Sequence, residues 1–107
     1  MKHGPIALIE EGLPVIAILA DDDHLQKALS NLMEAKARGA HVLAISTESA
    51  AAKIEDLDHV VTVPDCDPLI APIVLSIPIQ ILAYLTAVHK GTDVDQPRNL
   101  AKSVTVE

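Results

Sequence analysis

Aromatic side chains are all but missing from this chain of 107 residues, which has one Tyr and neither Phe nor Trp. Any core must be built from Ile, Leu, Val and Ala, and an apolar content of 50% allows one. The single cysteine, Cys66, excludes an intramolecular disulfide and fits a reducing cytoplasm. Basic residues are scarce, 8 against 15 acidic ones, for a net charge of −7. That balance argues against nucleic acid and against an anionic membrane as partners. Gly4, Gly12, Gly39 and Gly91 are scattered, so no glycine-rich loop is available to cradle a phosphate. The first residues carry Lys2, Glu10 and Glu11 and show no cleavage pattern, so a secretory leader is not expected. No repeat, linker or low-complexity stretch interrupts the chain, whose length suits one domain or part of one.

What is present is a succession of apolar runs. Residues 2–12 read as a helix end or loop, with Pro5 in a first turn and Gly12 as the stop. Residues 14–20 form a continuous apolar run, and a run without alternation predicts a parallel strand buried on both faces. Leu25, Leu29, Leu32 and Met33 then recur at helical spacing, with Asp22 or Asp23 as the N-cap and Gly39 as the stop. Residues 42–46 predict a second strand. A short helix capped by Thr47 or Ser49 follows, and residues 59–63 predict a third strand ended by Pro64.

Residues 69–88 carry no formal charge and match a membrane span in length. Pro72, Pro78, Ser76, Gln80 and Tyr84 lie within the segment, and acidic Asp65 and Asp67 precede it where a basic flank would be needed. The better reading is a core helix over 68–90, capped by Asp67, buried on several sides, kinked at Pro78 and ended by Gly91. The expected fold class is α/β, a parallel layered sheet truncated to about three strands. Ordinary sheets have about five strands, and nothing earlier in the chain can cover the outer edge of the first one.

Few residues suggest chemistry. Asp21, Asp22 and Asp23 close the first strand, where α/β proteins place ligands. They suit helix capping and the helix dipole. A Mg²⁺ pocket of the receiver type would need another acceptor carboxylate, for which only Asp65 is available. Cys66 lies between two carboxylates and is given no nucleophilic role. Among His3, His24, His41, His59 and His89 there is no metal-ligand spacing, so no metal is expected. In the polar tail, Lys102 reads either as a solvated lysine or as a reactive amine.

The tail reads Asp95-Gln-Pro-Arg-Asn-Leu-Ala-Lys-Ser-Val-Thr-Val-Glu107, and the opening reads Lys2-His-Gly-Pro-Ile-Ala-Leu-Ile9. Both closely resemble the second sugar-isomerase (SIS) domain of the glutamine–fructose-6-phosphate aminotransferase family, also called glucosamine-6-phosphate synthases. The resemblance runs over residues 1–107, which would be the C-terminal portion of that domain. It implies a three-layer α/β/α, flavodoxin-like sheet of five parallel strands, of which this chain would hold the third, fourth and fifth. Lys102 would form an imine with open-chain fructose 6-phosphate, and the Ala101 backbone would lie against the sugar. His3 would assist ring opening at the partner subunit's site, so a homo-oligomer is implied. No metal or organic cofactor is implied.

The glutamine-hydrolysing half, the Ser/Thr loop that holds the sugar phosphate and the glutamate base have no match here. The chain alone is therefore expected to be inactive. Two alternatives are another sugar-phosphate isomerase or deglycase of the superfamily, and a non-catalytic module that self-associates through its uncovered strand.

Overall fold

A computed structural model describes residues 3–57 and 59–96. The described residues form two compact units, divided between residues 76 and 77 inside a long helix. The first unit begins with a 3-10 turn, Pro5–Leu8, with Pro at its start as expected. The helical turn stops at Leu8. Gly12 serves a separate turn at φ +80°, where its N–H bonds the Gly39 carbonyl at 2.8 Å.

Three strands follow, β1 (Pro14–Leu19), β2 (His41–Thr47) and β3 (His59–Val63). They form one parallel sheet in the order β1-β2-β3, with Ala17 opposite Ala44 and Ile45 opposite Val61. Parallel strands are what the apolar runs predict, and their adjacent positions are what the resemblance implies. Helix α1 (Leu25–Lys36) joins β1 to β2, α2 (Glu48–Ala51) follows β2, and α3 (Ala71–His89) follows β3.

The main core lies between one sheet face and α1. Ala17, Leu19, Val42 and Ala44 pack there with Leu25, Leu32, Ala35 and Ala50. Aliphatic residues alone fill it, as the missing aromatics require. Gly39 ends α1 with φ +89°, and the Ala40 N–H returns to the Ala35 carbonyl at 3.2 Å. This is the glycine-assisted stop anticipated from sequence. The start of α1 differs from expectation. His24 occupies the N-cap position with no side-chain cap bond, and Asp22 Oδ1 accepts from the His24 N–H at 2.8 Å. The carboxylate thus fixes the turn ahead of the helix instead of capping it.

Two burial expectations are overturned. β2 is buried on both faces, through Val42 and Ala44 on one and Ile45 on the other. β1 is buried on one face only, with Ile16 49% and Ile18 54% exposed. Its continuous apolar run has a partner strand along one edge and packed side chains on one face. Helix α3 passes through Pro78 without interruption and ends at Gly91, φ +68°. It is not buried on several sides. Ala71 and Leu75 are its buried residues, while Ile73, Ile77, Ile81, Tyr84, Leu85 and Val88 are exposed. By length and composition alone, α3 is apolar enough to cross a membrane.

Candidate functional site

A cleft of about 390 Å³ opens at the carboxyl ends of the three strands, where parallel α/β sheets place ligands. Each strand contributes through the loop that follows it. Asp21 and Asp22 come from the end of β1, Thr47 and Ser49 from the end of β2, and Asp65 and Cys66 from the end of β3. Pro68, Ala71, Pro72 and Leu75 supply an apolar wall. Sequence reasoning placed Asp21–Asp23 at a strand end but missed the meeting of Asp65 with Ser49. Sixteen residues separate that pair, and only strand order reveals it.

The polar groups are largely paired with one another. Asp65 Oδ1 accepts from the Ser49 backbone N–H at 3.0 Å and from Ser49 Oγ at 2.7 Å. The backbone bond, then the hydroxyl bond, hold the Asp65 carboxyl below its ordinary range, since both favour the charged form. Thr47 Oγ1 accepts from the Ala50 N–H at 3.4 Å and so caps α2, as expected. Lys53 Nζ reaches both Asp21 oxygens, at 2.6 and 2.7 Å. That leaves Asp21 committed to a structural ion pair. Among the described residues no three His, Cys, Asp or Glu side chains converge as a metal site. Ser46 is fully buried at the end of β2 and its Oγ has no hydrogen-bond partner among the described residues.

The residues expected to act on a sugar lie elsewhere. His3 is exposed in the turn that precedes the first helical turn, and it does not line the cleft. Lys102 and Ala101 lie outside the described residues. The structure therefore brings together the acidic cleft, and it leaves the three expected sugar contacts as an expectation.

The fold and its cleft define a parallel α/β domain with its strand ends gathered at one opening. The SIS domain model matches residues 1–90, and the chain belongs to that family. The whole chain is also 57% identical over 109 residues to a glutamine–fructose-6-phosphate aminotransferase of Agrobacterium fabrum. It is 55% identical over 108 residues to one of Gluconobacter oxydans. The chain spans 18% of the length of each. Among solved structures, the C-terminal domain of glucosamine-fructose-6-phosphate aminotransferase from Francisella tularensis is similar, with TM-score 0.82 and 37% identity. That match covers 87% of this chain and 26% of the other.

Proposed function

We propose that residues 1–107 are the C-terminal portion of one SIS domain in a glutamine–fructose-6-phosphate aminotransferase. The enzyme would form glucosamine 6-phosphate and glutamate from fructose 6-phosphate and glutamine. The observation that carries this reading is the 57% identity extending over all of the chain. On this reading Lys102 acts as the amine at the ketose carbonyl, a task that needs its neutral form. Ala101 supports the sugar through its backbone. His3 exchanges a proton during ring opening at the site of a second subunit, so the working enzyme is a cytoplasmic homo-oligomer.

The cleft of this chain is not the sugar-phosphate site on this reading. Its carboxylates would repel a phosphate, and among the described residues no lysine or arginine lines it. The chain by itself forms no glucosamine 6-phosphate. The test is a chimera in which this chain replaces the matching 109 residues of the Agrobacterium fabrum relative. Glucosamine 6-phosphate formation from fructose 6-phosphate and glutamine supports the reading. A folded chimera without that activity, or an active isolated chain, contradicts it.

A further inference from the structure

Helix α3 stops through a compact set of local hydrogen bonds. The Gly91 N–H bonds the Val88 carbonyl at 2.9 Å, and the Thr92 N–H bonds the Ala87 carbonyl at 3.0 Å. With Gly91 at φ +68°, this pair of bonds satisfies carbonyls that the helix itself leaves open. Thr92 Oγ1 adds a second bond to the Ala87 carbonyl at 2.9 Å. Gly91 and Thr92 thus close the helix end.

Asp93 comes next and has a different task. Its Oδ1 accepts from the Asp95 N–H and from the Gln96 N–H, both at 2.9 Å. The carboxylate holds the next three residues in an exposed turn around itself. Helix stability gives no reason for an acid here, because the C-terminus is the negative end of the helix dipole. What the two bonds fix is the direction in which the chain leaves α3. Pro97 follows at once in the sequence and narrows the backbone choices of Gln96.

We propose that Asp93 is a positioning residue for Lys102, aiming the segment that carries the lysine toward the sugar. This rests on the reading above that Lys102 acts at the ketose carbonyl. Nine residues lead from Asp93 to Lys102, a covalent reach of about 30 Å. An amine on a tether of that reach is diluted over a large volume unless its point of departure is aimed. Aiming it raises the fraction of time the amine spends in attacking geometry, which is a gain in rate. Asp93 acts through the backbone of Asp95 and Gln96 and not on the sugar.

The test compares the chimera described above with its Asp93→Ala and Asp93→Asn variants. Alanine removes the acceptor, whereas asparagine keeps an oxygen in its place and suits the same turn. Asp93→Ala should lower kcat about ten-fold or more. The yield of borohydride-trapped sugar on Lys102 should fall with it, while Tm and the KM for glutamine stay unchanged. Amide exchange at Asp95 and Gln96 should quicken in the same variant. Asp93→Asn should restore rate, adduct and exchange to near their unsubstituted values.

An Asp93→Ala enzyme with undiminished kcat and adduct yield overturns this inference. So does an Asp93→Asn enzyme as impaired as Asp93→Ala, or a loss of rate matched by a fall in Tm. An unsubstituted chimera that turns over but forms no Lys102 adduct overturns the role given to Lys102, and this inference with it, so the two failures are told apart.

Discussion

Asp65 Oδ1 takes two hydrogen bonds from one residue, Ser49, and so ties the loop after β3 to the start of α2. Both bonds favour the carboxylate, whose folded-state titration is pushed below the ordinary Asp range. A group depressed in this way adds stability above its unfolded pKa, and that stability is lost as pH falls through the folded value. Asp65→Asn should therefore lower Tm near pH 7 and make no difference below the acid titration of Asp65. Melting curves of both proteins from pH 2 to pH 7 measure this. A gap that persists unchanged at the acid end would rule out the linkage.

Gly39 combines φ +89° with close approach to Glu11, whose Cα would lie 3.0 Å from any added Cβ. Gly39→Ala should destabilise the chain by at least about 1–2 kcal/mol, the cost of left-handed backbone for an L-residue. Urea denaturation would show it as a lower midpoint with an unchanged slope.

Ser46 places a hydroxyl in the buried end of β2 without a hydrogen-bond partner among the described residues. An unsatisfied buried hydroxyl costs about 1–3 kcal/mol. Ser46→Ala removes that cost for the loss of one atom and should raise stability by about 1 kcal/mol. A lowered denaturation midpoint would mean that the hydroxyl has a partner in solution.

The regular elements were legible because each is punctuated by residues with a local job. The β3 boundaries follow from His59 and Pro64, and Gly39 and Gly91 end α1 and α3 through their positive φ. The cap of α2 was legible as Thr47 or Ser49, and it is the Thr47 hydroxyl that reaches the Ala50 N–H.

Exposure was not legible. The run Pro14–Leu19 reports the burial a strand is suited to, and Ile16 and Ile18 show that this chain does not supply it. The apolar content of α3 misled in the same way, since composition does not say what lies against a helix. The cleft was half legible. Asp21 and Asp22 were placed at a strand end, but their meeting with Ser49 and Asp65 depends on tertiary neighbours. His3, Ala101 and Lys102 were singled out by resemblance, and nothing in periodicity marks them.

On the proposed function, this chain brings a lysine to a ketose. It is tested most directly by reductive trapping in the active chimera, with fructose 6-phosphate and borohydride, followed by peptide mass mapping. The expected result is a sugar phosphate adduct on Lys102, absent in Lys102→Ala, which should also lose about 10²-fold or more in kcat. An adduct on another lysine, or a Lys102→Ala enzyme with undiminished kcat, would contradict it.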